Sequence, residues 1–363
     1  MSATWIAQAP ALAAYVDHIA SADTIALDTE FMRRDTFYPK LALIQIAADG
    51  DCALVDPLGF DTAPGMRQLI AGRVCIMHSA SEDVDALAPL LEGVPLQLFD
   101  TQIAAAMCGL GFGLSYQRLV SLLLQVEIPK DETRSDWLRR PLSASQLDYA
   151  EQDVAHLHEV HALLHEQLRQ RDRLEWHAQD CARLARRAHR DQGDPQPQCG
   201  FRNAAAWSRA RQALLRRVLI WREHAARTLD KPRPWLLDDA AALSLAQQPP
   251  ESSNELFERT RGLRALRAAP RAELFELLCA PIPDAELDEL APIPPAPSGD
   301  AKAAVTAMKL AADALALELD IPAGMLCPRR ALEEYAVTHV WPEALQGWRR
   351  ELLEPALASK LPL

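Results

Sequence analysis

The chain has 363 residues, more than one ordinary hydrophobic core contains, so two or three domains are expected. Its composition of 49% apolar and 24% charged residues is typical of a globular protein in water. No apolar run approaches the roughly 20 residues of a membrane-spanning helix. The first residues lack the basic and apolar segments of a signal peptide. These features predict a cytoplasmic protein without membrane contact.

The seven cysteines are scattered along the chain, and none belongs to a Cys-x-x-Cys pair. An odd number of widely spaced cysteines argues against a disulfide framework, and zinc sites need ligands at closer spacing. We therefore expect buried thiols in a reducing compartment.

The net charge of −12 argues against a protein that coats nucleic acid by bulk attraction. Its distribution is uneven, since residues 1–190 carry 17 basic against 26 acidic residues, whereas residues 201–235 carry nine against two. A basic segment beside an acidic domain fits an anionic polymer that one module holds and another cuts. A solvated, arginine-rich helix face explains the same pattern equally well.

The first part of the chain alternates strand-like and helix-like segments. Strands are predicted over residues 24–31, 41–47 and 52–56, close enough together for antiparallel hairpins. A helix near 64–72, a buried strand over 74–78, a helix start after Ser79 and a short strand over 96–100 follow. This order predicts an α/β domain with a mixed sheet flanked by helices.

The remainder is predicted to be helical. One long helix is expected from Ser143 to about Arg190, followed by a polar linker. A proline-rich stretch then separates two helical blocks. We therefore expect three domains, over residues 1–190, 201–282 and 299–363.

Four carboxylates and a phenol are spaced so that an α/β fold can bring them to one point. Asp28 and Glu30 share a face of a strand, and Tyr149 and Asp153 share a face of a helix. Asp83 falls in a first helical turn after a strand, where a carboxylate also suits the helix dipole. Each of these side chains, considered alone, is ordinary for its position. Together, in apolar surroundings, they require cations.

Two divalent cations about 4 Å apart would meet that requirement and suit the attack of water on a phosphodiester. Hard oxygen ligands favour Mg²⁺ or Mn²⁺ over zinc. Tyr149 lies one turn before Asp153 and is placed to orient the attacking water by a hydrogen bond.

Several segments of this sequence resemble a known enzyme family. Residues 25–31, 78–83 and 149–153 are similar to the three motifs of the DEDDy family of 3′→5′ exonucleases. Residues 38–46 and 134–142 narrow the resemblance to its ribonuclease D group. The helical blocks are similar in placement to the two HRDC (helicase and RNase D C-terminal) domains of that group.

The resemblance implies a ribonuclease H-like fold and a role for each acidic residue. Asp28, Glu30, Asp83 and Asp153 would hold two metal ions, with Asp28 bridging both and Asp83 acting largely through metal-bound water. Tyr149 would position the attacking water. The implied activity releases nucleoside 5′-monophosphates from RNA 3′ ends, notably of tRNA precursors. We also expect a monomer.

Five further residues are candidates for substrate contact. Gln45 either contacts the substrate backbone or is a buried polar group satisfied by the sheet. His78 either supports the site or, as we favour, is a core histidine. Trp137 either stacks on a terminal base or pins its loop. Arg216 and Arg217 are candidate phosphate ligands.

Two alternative functions share most of these features. A DNA-directed 3′→5′ exonuclease carries the same acidic motifs, because they do not contact the sugar 2′-hydroxyl. A non-catalytic nucleic-acid-binding adaptor would keep the fold but is disfavoured, since every carboxylate of the pattern is present. A P-loop nucleotide-binding enzyme is disfavoured because the chain has no Gly-x-x-x-x-Gly-Lys-Ser/Thr motif.

Overall fold

The computed structural model describes residues 3–129, 135–186 and 193–360. Arg134 of the 134–142 motif and the predicted domain end at Arg190 lie outside the described residues, as do the last three residues of the second helical block.

One mixed sheet organises the amino-terminal half of the chain. Its strands are β1 (Thr4–Ile6), β2 (Thr24–Met32), β3 (Lys40–Ala48), β4 (Asp51–Val55), β5 (Val74–Met77) and β6 (Gln97–Asp100). They lie in the order β1-β4-β3-β2-β5-β6. The β2–β3 and β3–β4 pairs are antiparallel, whereas β5 and β6 run parallel to β2. The predicted mixed sheet and its hairpins are confirmed. The three-residue β1 was not predicted, because it is too short to show alternation.

Helices make up most of the remaining described chain. The α-helices that precede residue 187 are α1 (Ala9–His18), α2 (Ala63–Ile70), α3 (Ser81–Leu87), α4 (Thr101–Met107), α5 (Tyr116–Leu124), α6 (Ala144–Ala155), α7 (Leu157–Gln170) and α8 (Leu174–Ala185). Those that follow residue 192 are α9 (Arg209–Leu229), α10 (Arg233–Leu236), α11 (Asp239–Gln247), α12 (Ser253–Arg259), α13 (Ala268–Cys279), α14 (Asp284–Asp288), α15 (Gly299–Glu318), α16 (Ala323–Leu326), α17 (Arg329–Thr338) and α18 (Trp348–Leu357). Within the described ranges, no helix combines the length and apolar character that crossing a membrane requires.

The prediction of one long helix from Ser143 to about Arg190 is wrong. The described part of this region forms α6, α7 and α8 instead. His156 leaves helical geometry between α6 and α7, and Asp172 adopts a positive φ of 55° between α7 and α8. Because each break is a single turn without proline or glycine, the sequence pattern gave no sign of it.

The sheet is covered on both faces, and its two faces have different neighbours. Helices α1, α2 and α3 pack on the face that carries Ile25 and Leu27. Helices α4, α5 and α7 pack on the opposite face, against Ala26 and Ile76, with α6 beside them over β3 and β4. Asp28 and Glu30 alternate with Leu27 along β2, so both project to the face that α6 covers.

The first helical block has its own core around α9. Leu215 and Val218 of α9 pack with Leu245 of α11 and Leu274 of α13. The proline-rich stretch after this block contains the short helix α14. An ion pair between Arg202 and Glu333 joins the first block to the second.

The second helical block shares a continuous apolar core with the α/β domain. Met308 of α15 and Leu332 of α17 belong to the same cluster of buried side chains as Met107 of α4 and Leu164 of α7. The block is therefore packed onto the helices behind the sheet, which tethers those helices from their outer side.

A buried ion pair reinforces this contact. Arg349 of α18 donates two hydrogen bonds, of 2.6 and 2.7 Å, to Asp180 of α8, and each side chain is only 8% exposed. The indole of Trp348 donates to the same carboxylate and stacks on Trp176 with ring centroids 4.7 Å apart. Loss of either charged partner would leave a buried charge without compensation.

Candidate active site

The acidic residues of β2 lie beneath helix α6. Asp28 pairs with Gln45 of β3 across the antiparallel ladder, and Glu30 pairs with Leu43. The register then slips by one residue between Glu30 and Phe31, which is a β-bulge. Bulges bend a strand and redirect side chains. The skipped residue is Ala42 of β3, so the bulge lies in the strand next to Glu30, at the end of the buried part of β2.

Helix α6 carries the phenol and the fourth carboxylate of the motif set. Its start is defined by a capping box, in which Ser143 and Gln146 satisfy each other's backbone N–H groups. Tyr149 and Asp153 follow one turn apart, and their side chains are close enough to affect each other's pKa. A cleft of about 550 Å³ is lined by Tyr149 together with Asp148 and Gln152 of the same helix.

Three of the predicted carboxylates converge on one point. Oxygen atoms of Asp28, Glu30 and Asp153 all lie within 4.8 Å of one another, and each side chain is partly exposed. Two of the residues come from the central strand and the third from a helix more than a hundred positions later. This separation explains why spacing alone does not reveal the site.

Asp83 lies beside this group and is held by a residue that the sequence analysis missed. The hydroxyl of Thr29 donates a 2.5 Å hydrogen bond to its carboxylate. Asp100 accepts the N–H groups of Ser79 and Ala80, which fixes the turn that leads into α3. The sequence signal for this contact was the position of Thr29 between Asp28 and Glu30. Because side chains alternate along a strand, Thr29 points to the opposite face of the sheet, where α3 packs.

Proximity of these groups in a poorly solvated site favours their neutral forms. Burial is the main cause, and it raises the pKa of Glu30 to about 8 and that of Asp153 to about 7. Burial also raises the pKa of Asp83 to about 6. The pKa of Asp28 is raised well above its ordinary value by burial and by the three neighbouring carboxylates. The free cluster therefore holds protons near neutral pH unless cations replace them.

Tyr149 remains a hydrogen-bond donor in this state. Burial and the neighbouring charges of Asp153, Glu30 and Asp28 raise the pKa of its phenol above the ordinary value of 10.0. The hydroxyl thus keeps its proton at neutral pH. It can donate a hydrogen bond to Asp153 or to a group placed between them. It orients rather than removes protons.

Metal-free protein should become less stable as the pH rises from about 5 to about 8. In this window the folded state retains protons on Glu30 and Asp153, whereas the unfolded chain has released them near pH 4. Because the folded state binds more protons, its free energy of unfolding falls with rising pH, by roughly a few kcal/mol. Urea unfolding in chelator at several pH values measures this slope. A Glu30→Gln variant should flatten the slope, and stability that rises with pH in wild type would contradict the assignment.

The candidates Gln45 and His78 are internal. The Gln45 side chain is fully buried beneath α6, and neither amide atom has a hydrogen-bond partner among the described residues. Contact with the substrate backbone is therefore not supported, and neither is satisfaction by the sheet. Both ring nitrogens of His78 are engaged, by Thr101 and by the carbonyl of Leu114. His78 matches the favoured description of a core histidine.

Trp137 pins its loop. Its side chain is 3% exposed and packs with Leu43, and its ring centroid lies 6.1 Å from that of Tyr149. Arg140 ties the same loop to the sheet through Asp56 and through the carbonyl of Trp137. A stacking role on a terminal base does not fit this burial. The loop instead supports Tyr149 from behind.

The basic segment 201–235 is used inside the protein. Arg217 forms a two-point ion pair with Glu286, and Arg216 donates to the carbonyl of Pro195. The other basic side chains of the segment also donate within the protein, namely Arg202, Arg209, Arg211, Arg222, Arg227, Lys231 and Arg233. Arg216 and Arg217 are therefore not supported as phosphate ligands. Their charges instead hold the helical block together.

Comparison with known proteins agrees with the acidic motifs. Residues 3–169 match the family model described as "3'-5' exonuclease". The Ribonuclease D of Xanthomonas oryzae pv. oryzae is 39% identical over 93% of this chain and 92% of its own length. The Ribonuclease D of Pseudomonas paraeruginosa is 33% identical over 98% of this chain and 97% of its own.

A solved structure is similar over nearly the whole length. The crystal structure of Escherichia coli RNase D, described as an exoribonuclease involved in structured RNA processing, matches with a TM-score of 0.86. The alignment has 27% identity and covers 99% of this chain and 98% of that one. The likeness thus includes both helical blocks as well as the α/β domain.

Proposed function

Because this chain belongs to the ribonuclease D family of 3′→5′ exoribonucleases, we propose that Asp28, Glu30, Asp83 and Asp153 hold two divalent metal ions for hydrolysis at the 3′ end of RNA. The convergence of Asp28, Glu30 and Asp153 within 4.8 Å is the observation that carries this proposal. Asp83 lies close enough to raise the pKa values of both Asp28 and Glu30.

The donor set suits hard divalent cations. All donors in the cluster are carboxylate oxygens, which favour Mg²⁺ or Mn²⁺. The raised pKa values of Glu30 and Asp153 mark a site where negative charge is uncompensated in the free protein. When bound, the ions would polarise the attacking water and offset the charge that develops on the phosphate.

The protein's own groups provide orientation. Tyr149 lies one turn before Asp153 on α6 and keeps its phenolic proton, so its hydroxyl can donate a hydrogen bond to a water molecule at the carboxylates. Thr29 holds one oxygen of Asp83 in place. Asp28 is close enough to the other three carboxylates for each of them to raise its pKa, which suits a ligand that both ions would share.

The substrate that best fits this family is the 3′ end of RNA, with tRNA precursors as the leading candidates and nucleoside 5′-monophosphates as products. The shared name of the relatives favours RNA over the DNA alternative. Residues 201–282 and 299–363 are proposed as HRDC-like domains of a monomeric, cytoplasmic enzyme. Matched RNA and DNA oligomers test the sugar preference. Sequencing of RNA 3′ ends in cells with and without the protein tests the tRNA assignment.

A Tyr149→Phe variant should show whether Tyr149 orients the attacking water or supports metal binding. We expect the rate of nucleotide release from a labelled RNA to fall by roughly 100-fold, because the water loses its orienting hydrogen bond. Calorimetric Mn²⁺ affinity should stay within a few-fold, since no carboxylate changes. An unchanged rate would remove the proposed role of the hydroxyl. An equal loss of metal affinity would show that Tyr149 acts by supporting Asp153.

A further inference from the structure

The seven-residue loop between β2 and β3 is held by the first helical block. Helix α9 ends at Asp230, which adopts the left-handed conformation with φ 49°. One oxygen of its carboxylate accepts the backbone N–H groups of both Phe37 and Tyr38, each at 3.0 Å. Lys231 adds a hydrogen bond to the carbonyl of Asp35. Three polar contacts thus attach the loop to the end of one helix.

The ring of Phe37 anchors the same contact. It is 6% exposed and packs against Ala226 and Leu236. The guanidinium carbons of Arg227 and Arg233 lie 5.0 and 4.7 Å from the centroid of this ring. Arg227 is in the last turn of α9, and Arg233 is the first residue of α10. Cation–π contacts of this kind favour a fixed ring position.

Both arginines are themselves held in place, because each hydrogen-bonds to Glu223 of α9. A single carboxylate therefore fixes the two cations that enclose Phe37. The Glu223 carboxylate thus holds the two guanidinium groups, and these in turn contact the ring of Phe37.

The loop begins after Phe31 and Met32, the two β2 residues that follow Glu30, and a bulge at Ala42 of β3 lies opposite this point. Beyond the bulge, β2 is paired with β3 only through Phe31 with Leu41 and Met32 with Lys40. Movement of the loop would therefore act on a short end of the ladder, next to the register slip. Bulges are points where strand direction changes readily.

We propose that Asp230 and Phe37 form a latch by which the first helical block holds the β2–β3 loop, and with it Glu30, in the geometry needed for metal binding. The inference rests on the proposed metal-binding role of Glu30. Asp230 acts as a positioning residue, since it reaches the site only through the loop. The helical block would then contribute to catalysis indirectly, by positioning a metal ligand.

An Asp230→Gly variant tests the latch without disturbing the end of α9. Glycine favours the left-handed conformation, so the helix still terminates there while the carboxylate acceptor is lost. We expect kcat to fall ~10-fold and the Mn²⁺ concentration for half-maximal activity to rise several-fold, because Glu30 loses its fixed position. KM for a short RNA should stay within about twofold, since Asp230 is not a proposed substrate contact.

Hydrogen exchange gives a readout that does not depend on activity. The amides of Phe37 and Tyr38 should lose protection in Asp230→Gly, and calorimetric Mn²⁺ affinity should weaken in parallel. Asp230→Asn should restore both, because asparagine adopts the left-handed conformation and keeps an oxygen acceptor. Asp172→Gly is the matched control, since Asp172 is an exposed aspartate with φ 55° in the turn between α7 and α8.

The outcomes separate the latch from the proposed function. Full kcat and metal affinity in Asp230→Gly, despite lost amide protection, would overturn the latch. Wild-type metal affinity and activity in Glu30→Gln would instead overturn the proposed site. A lowered melting temperature with unchanged kcat and metal dependence would reduce Asp230 to a structural residue.

Discussion

Replacement of Asp28 by Asn is expected to reduce exonuclease activity at least about 1,000-fold, the largest catalytic effect of any single change in this chain. Asp28 faces the other three carboxylates, all of which raise its pKa. In the proposed site it would be the ligand that both ions share. Each tenfold loss of rate corresponds to about 1.4 kcal/mol, so this loss equals about 4 kcal/mol of transition-state stabilisation. Metal ions supply several kcal/mol in such reactions.

The same change should stabilise the metal-free protein near pH 8. Asn cannot ionise, so the repulsion from Glu30, Asp83 and Asp153 disappears while the shape of the side chain is kept. Release of labelled nucleotides at saturating Mn²⁺ measures activity, and urea unfolding in chelator measures stability. Asp23→Asn, the same substitution at the exposed residue before β2, should alter neither. Activity of Asp28→Asn within tenfold of wild type would rule out Asp28 as a shared ligand.

The α/β domain could be predicted because its local patterns agree with its tertiary structure. The strands around Asp28 and Gln45 are continuous apolar runs, and the sheet buries them on both faces. The alternation that places Asp28 and Glu30 on one face holds in the observed register. Helical spacing likewise places Tyr149 close enough to Asp153 for each to affect the other's pKa.

Roles that depend on distant partners could not be predicted. The charge of Arg217 suggested phosphate binding, but its partner Glu286 lies 69 residues later. Trp137 looked equally suited to stacking and to packing until the sheet beneath it was known. Thr29 acquires its function only because α3 brings Asp83 next to β2. In each case the deciding contact joins elements whose relative placement no local pattern encodes.

The packing of the second helical block onto the α/β domain could not be predicted from local patterns either. Its helices are similar in size to those of the first block, yet they share a core with α4 and α7 of the α/β domain. Asp180 and Arg349 lie 169 positions apart and are both buried at this junction. Arg349 of α18 also donates a hydrogen bond to the carbonyl of Met325 in α16, so its guanidinium connects these two helices.

Arg349→Met is expected to destabilise the protein by roughly 3–5 kcal/mol, because it leaves the Asp180 carboxylate buried without its two-point partner. Methionine keeps most of the apolar stem, so the loss reports the charge and not a cavity. The neighbouring Arg350 pairs with Glu354 at the surface, and Arg350→Met should cost less than about 1 kcal/mol.

Chemical denaturation of the metal-free protein at constant pH measures both variants, and a double-mutant cycle with Asp180→Asn isolates the pair. A coupling energy near zero would show that Arg183 and Trp348, which also contact Asp180, suffice to hold its charge. Strong coupling would mean that the second block is bound to the α/β domain by a polar contact whose partners are costly to separate. The helices behind the active site, α7 and α8, would then depend on a block that lies at the far end of the chain.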